Sequence, residues 1–389
     1  MKIFSNNVDT IKRELELIEE NLVKINNKSI TDNIEVLEAF YQLLRDVNGE
    51  EDEDVANTLI SYDKYRDIKL QERKQLQKKN ITNFINFKDF HRSFSGRVLD
   101  LYDVDFDYCY EKNLYLTEEN MLEIICNFLN DEFNQADKLI DLINGNKIYR
   151  ANIINSGGIP SAGYTMFDYI TKNSFILVQK SSSIKDIDFM RIMVHEFGHV
   201  IDNLNKNCSS KKDIVNYYWL SSYPEVYALM YEKLFYDYLL KNKMFVGSTK
   251  FNLKRYYFDI YDQFNSLEYI SSLDDKLLVN ERYKRDEKSI IDQMVVLEDG
   301  TVCINDAILD DFKETNKYSY GGIMANYFAN LKHQDPTEFK RQFDLFKIYR
   351  FELFNPNIFK KIGTSSDEMI KVLDKGLCDI SEVKKLILK

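Results

Sequence analysis

Helix breakers are scarce in this chain. Only 4 prolines and 13 glycines punctuate 389 residues, which excludes a loop-rich build and predicts long helices. Cysteine is almost as rare. Cys109, Cys126, Cys208, Cys303 and Cys378 are odd in number, widely spaced and free of any CxxC pair. A disulfide framework is therefore not expected, and a reducing compartment fits better. No run approaches the roughly 18 apolar residues of a membrane span. The first residues, "MKIFSNNVDTIKREL", hold no apolar stretch of the signal-peptide kind, so a cytoplasmic location is expected. Positive charge is in deficit, and a net charge of −11 argues against a nucleic-acid partner. Histidine occurs only 4 times, which makes its placement informative.

What is present is helical texture. Val8, Ile11, Leu15, Ile18, Leu22 and Ile25 recur at alternating spacings of 3 and 4, a stripe of coiled-coil type. Residues 33–47 give a second amphipathic helix before an Asn-Gly turn, and 54–80 a third. The acidic run 49–54 reads as a solvated loop and the basic run 69–80 as an exposed helix face. Residues 1–115 are thus expected to form a helical N-terminal subdomain, and 116–389 a second region. That region opens with one long helix over 118–144. The texture then changes: Gly157, Gly158, Pro160 and Gly163 precede two β-rich runs, "YTMFDYI" and "SFILVQ", split by "TKN", which reads as a hairpin. Helix returns near 185 and holds almost to the end, apart from a turn with short extended arms at 295–306. The expected fold is mainly α, with one small β-hairpin.

Two of the four histidines fall in "RIMVHEFGHVID", residues 191–202. On a helix, i and i+4 share a face, so His195 and His199 can both reach one point at the ~2.0–2.1 Å that suits Zn²⁺. Glu196, offset by one residue, can act on a water there without binding the metal. This is the HExxH arrangement of two ligands and a general base. Ile192, Met193, Val194, Phe197, Val200 and Ile201 make the rest of the helix apolar, so it is expected to be buried. A catalytic site needs one further ligand. Asp202, Glu225 and Glu232 are the candidates downstream. Asp202 is close on the same helix and would strain the geometry. Glu225 also reads as part of a capping box with Ser222, and Glu232 lies two turns beyond it on the same face.

"HEFGH" followed within thirty-five residues by "EVYALMYE" resembles the thimet oligopeptidase and oligoendopeptidase F family of zinc metallopeptidases, here shortened at the N-terminus. The resemblance implies one zinc per chain held by His195, His199 and Glu225, with Glu196 as base and Glu232 supporting a ligand histidine. It implies a long-helix peptidase body with the small sheet beside the active-site helix. The loop and strands at 155–179 resemble the family's substrate-binding segment, which points to Gly158, Gly163, Phe175 and Leu177. "YSYGGIMANYFANL" (318–331) resembles its tyrosine cluster, which points to Tyr318 and Tyr320 as donors to the substrate carbonyl. The family's third tyrosine position falls on Gly322. The implied activity is hydrolysis of short or unfolded peptides. Two other readings are open at this point: a dedicated protein-cleaving protease, since "HEFGHVID" also resembles the helix of lethal-factor-type enzymes, and a non-enzymatic helical protein with a structural zinc.

Overall fold

In the computed structural model of the chain, the described residues are 3–24, 36, 39–41, 43–44, 116–151, 162–168, 171–179, 186–205, 223–272, 294–296, 302–304, 306–350 and 357–387. The expected helix at 54–80 and both charge runs lie outside them. Of the helix expected at 33–47, positions 36, 39–41 and 43–44 are described, and all are helical. The chain forms two compact units. One comprises Met1–Arg73, Cys109–Lys211 and Leu234–Thr249; the other comprises Lys74–Tyr108, Lys212–Lys233 and Lys250–Lys389.

The first unit is built around a three-stranded sheet. Strands β1 (Ile148–Ala151), β2 (Gly163–Phe167) and β3 (Ser174–Gln179) run in the order β1-β3-β2, with β1 parallel and β2 antiparallel to β3. The expected hairpin is β2–β3. Strand β1 was not anticipated, because four residues directly after a helix carry no usable alternation. Side chains alternate across a strand, so the sheet has two distinct faces. Tyr149, Met166, Phe175 and Leu177 on one face pack against Ile11, Leu15 and Ile18 of helix α1 (Val8–Lys24) and against Val36, Phe40 and Leu43. Phe40 meets Phe175 and Tyr149 edge-on at 4.9 and 5.5 Å between ring centres, a preferred aromatic geometry. The chain start is fastened to the same sheet. Ser5 N–H donates to the Ile148 carbonyl at 2.9 Å, the Asn6 side chain exchanges two hydrogen bonds with the Arg150 backbone, and Lys147 pairs with the buried Glu14 at 3.0 Å.

The residues expected to form one helix over 118–144 form two, α2 (Glu118–Phe133) and α3 (Ala136–Asn144). The break is at Asn134, whose φ of 53° and ψ of 49° are left-handed. Its N–H donates to Asn130 and that of Gln135 to Leu129, which closes the helix end as asparagine can and most residues cannot. Phe128 of α2 then packs on Phe235 and Tyr238.

The opposite sheet face carries helix α4 (Asp186–Asn205), the helix of the two histidines. It is apolar nearly all round, so it is buried on most sides. Phe189, Met190, Ile192, Met193, Val194, Phe197, Val200 and Ile201 are all under a tenth exposed.

In the second unit, part of α5 (Val226–Lys241) and most of α6 (Val246–Ser272) join α7 (Asp306–Gln334), α8 (Pro336–Tyr349), α9 (Asn357–Ile362) and α10 (Ser366–Ile387). The turn between α7 and α8 is written in "DPTE": Asp335 accepts from the N–H groups of Thr337 and Glu338, and Pro336 opens the helix, a favoured first position for proline. Tyr223 and Tyr227 pack among Phe343 and Phe346, with the Arg350 guanidinium 5.3 Å over the Tyr227 ring. Strands β4 (Met294–Val296) and β5 (Val302–Ile304) pair antiparallel, the expected arms of the 295–306 turn. The described residues are mainly helical, with the small three-stranded sheet beside the histidine helix, as the sequence predicts. None of their helices is long and apolar enough to cross a membrane.

Gly322 shows how tightly α7 meets α6. A methyl at this position would lie 2.6 Å from Ile260 Cγ1. Gly322→Ala gains roughly 1 kcal/mol of helix propensity, but overpacking costs about 1–3 kcal/mol. A net loss of up to about 2 kcal/mol is expected, read as a lower urea midpoint at unchanged slope. A raised midpoint would show that the two helices can separate freely at this point.

Candidate metal centre

Helix α4 presents His195 and His199 on successive turns of one face, with ring centres 5.1 Å apart and planes at 80°. Both are half-buried, whereas Glu196 between them is only 5% exposed. Glu225 immediately precedes α5, and its carbonyl accepts from Leu229 N–H at 2.9 Å. That makes it the capping residue itself rather than the third residue of the helix, so the capping-box role considered for its side chain does not apply. One ligand atom from each of His195, His199 and Glu225 lies within 4.8 Å of the others. Among the described residues this is the group of three that could hold a metal ion. Two imidazoles and a carboxylate are a donor set metals take.

Asp202 and Glu232, the other two candidates, are not in the group. Both are buried, Glu232 two turns along α5 from Glu225 and Asp202 one turn beyond His199 on α4.

The sheet meets the site through β2. Gly163 and Thr165 alternate onto the α4 face. A Cβ at Gly163 would stand 2.6 Å from Glu196 Oε1 and 2.7 Å from Ile192, so glycine is what allows the strand this close. Thr165 Oγ1 lies 2.6 Å from Glu196 Oε2 and 3.0 Å from the Glu196 carbonyl. Gly163 was singled out from the sequence; Thr165 was not, although it stands two residues on, where alternation puts it on the same face.

Phe175 and Leu177 require a correction. The family resemblance points to them as substrate-binding residues. Strand β3 is the middle strand, with both ladders taken by β1 and β2, and the two side chains are 1% and 4% exposed within the core. The nearly unbroken apolar run "FILV" belongs to a strand covered on both faces. Gly158 lies outside the described residues.

Tyr318 and Tyr320 both sit on α7. Two residues on a helix are about 200° apart, so their side chains leave on opposite sides. Tyr318 is 37% exposed; Tyr320 is 2% exposed and packs on Phe264 at 5.6 Å. Burial pushes the Tyr320 phenol well above the usual tyrosine range, and the nearby Tyr223 adds to this.

No protein-family model matches the chain, and none of the curated proteins does. Among solved structures the chain is similar to one titled "Crystal structure of a putative oligoendopeptidase F from Bacillus anthracis str. Ames", at 12% identity and a TM-score of 0.44, over 91% of this chain and 64% of that one. The chain thus spans just under two thirds of that protein's length. A likeness of this size carries no weight for fold or chemistry.

Tyr320 supplies a test of the burial around α7. Its folded pKa is raised, so its contribution to stability is full below the unfolded value of ~10 and is lost as pH rises past it. The phenolate absorbance of the wild type and of Tyr320→Phe should coincide on alkaline titration until the protein unfolds. One extra ionisation near pH 10 in the folded wild type would contradict this placement.

Proposed function

We propose that the protein is a zinc-dependent metalloendopeptidase that hydrolyses short or unfolded peptides, with one zinc held by His195, His199 and Glu225. The observation that carries the reading is the convergence of those three donors within 4.8 Å beside a glutamate in the HExxH register. Zinc takes His and carboxylate ligands readily, and when bound it supplies Lewis-acid polarisation of a carbonyl and a lowered pKa for water. Glu196 acts as general base, taking a proton from the attacking water and delivering it to the leaving amine. Its single-residue offset from His195 supports that role, because it shares the neighbourhood of the ligands without being one. Glu232 supports a ligand histidine through a hydrogen bond, and Tyr318 or Tyr320 donates to the substrate oxyanion. All the groups given these roles fall within residues 116–389, the catalytic region of this reading. The chain works in the cytoplasm, to which its few, widely spaced cysteines are suited.

Metal analysis of the purified protein is expected to give one zinc per chain, and His195→Ala or His199→Ala to abolish stoichiometric binding. Glu196→Gln should keep the metal and lose peptide hydrolysis by roughly 10²–10⁴-fold. A peptide-library digest with and without a chelator reads the activity, and a folded reporter should be spared while its unfolded form is cut. A wild type that binds no zinc after reconstitution ends the reading. Efficient cleavage of the folded reporter at one site moves it to a dedicated protein-cleaving protease.

A further inference from the structure

We infer that Thr165 is a positioning residue for Glu196, and that Gly163 and Thr165 together form a seat that fixes the orientation of its carboxylate. The inference rests on the proposed role of Glu196 as base.

The Thr165 hydroxyl has one proton and two acceptors in reach, Glu196 Oε2 at 2.6 Å and the Glu196 carbonyl at 3.0 Å. The shorter contact falls in the ~2.5–2.7 Å range of a hydroxyl bonded to a carboxylate, the stronger kind of hydrogen bond. Thr165 therefore donates to Oε2, and the helix carbonyl receives the weaker share. Oε1 lies on the other side, 2.6 Å from where a Cβ on Gly163 would be. Any side chain at that position would occupy the space beside Oε1. The strand thus treats the two oxygens differently: threonine bonds one, and the bare glycine lets the strand lie close against the other.

A glutamate has three side-chain torsions, and one on an exposed helix face samples many rotamers. Glu196 is buried and tied at one oxygen to a strand held in the sheet by its ladder with β3. Its backbone and its carboxylate are bound to the same residue of β2, so the base moves only if strand and helix move together. A general base works within hydrogen-bond reach of the proton it takes, and displacement of about 1 Å can cost ~10² in rate.

Thr165→Val keeps the shape and removes the hydroxyl; Thr165→Ser keeps the hydroxyl and removes a methyl. With zinc-loaded protein and a peptide substrate, assayed below the unfolding range, Thr165→Val is expected to lower kcat by about 10–100-fold with KM and zinc stoichiometry close to wild type, and to lower the melting temperature, because the buried carboxylate loses its partner. Thr165→Ser should recover most of that loss. Gly163→Ala should lower kcat in the same way, with zinc retained. A crystal structure of metal-free Thr165→Val should show the Glu196 carboxylate turned from its wild-type rotamer, a readout independent of activity. Wild-type kcat in Thr165→Val, or an equal loss in Thr165→Ser, overturns the inference while leaving the proposed function standing, provided that Glu196→Gln is inactive. A wild type with no chelator-sensitive hydrolysis overturns the proposed function, and the inference with it.

Discussion

A carboxylate buried in an apolar helix is the constraint around which the first unit is arranged. Glu196 sits on α4 among Ile192, Val194, Phe197 and Val200, all under a tenth exposed. Burying such a group without a partner costs several kcal/mol. The partner comes from another element. Strand β2 approaches α4 closely because Gly163 lacks a side chain, and Thr165 then reaches the carboxylate. That contact depends on the register of β2 against β3, since Gly163 pairs with Val178 and Thr165 with Ile176. A slip of one residue would turn both away from the helix. The register is held in turn by the opposite face, where Met166, Phe175 and Leu177 pack into the core.

The residues legible in the sequence are those whose placement is local. His195, Glu196 and His199 are ordered by the helical period alone, so reading the helix was enough to read their common face. Spacing leaves Glu225 as one of three candidate acids, and only the family resemblance singles it out, because no local period relates it to the histidine helix. Where the helix of Glu225 begins was misjudged by about one turn, which is enough to change a capping-box side chain into a residue that caps with its carbonyl. Thr165 was missed because its importance lies in a strand-to-helix contact that no pattern within the strand encodes.

Two misreadings of the fold have similar causes. The β-branched and aromatic content of "SFILVQ" predicts one arm of a hairpin, and the family resemblance makes it substrate-binding. That content marks a strand but not its position in the sheet; the unbroken burial of Ser174 through Val178 belongs to a middle strand, and Phe175 and Leu177 follow it into the core. The helix expected over 118–144 was drawn through Asn134 because the apolar period continues past it. One left-handed residue is sufficient to stop a helix, and asparagine adopts that conformation at lower cost than most residues.

The ties between the chain start and β1 have a consequence for the order of assembly. Ser5, Asn6 and Glu14 bond to residues 147–150, more than 130 positions along the chain, and the first unit also takes in Leu234–Thr249. Contacts this distant raise the entropy lost before the first of them forms, and slow folding accordingly. During synthesis at about 5–20 residues per second, helix α1 emerges roughly 8–30 seconds before β3, the last strand of the sheet it packs on. Through that interval the apolar stripe of Ile11, Leu15 and Ile18 has no sheet to cover it.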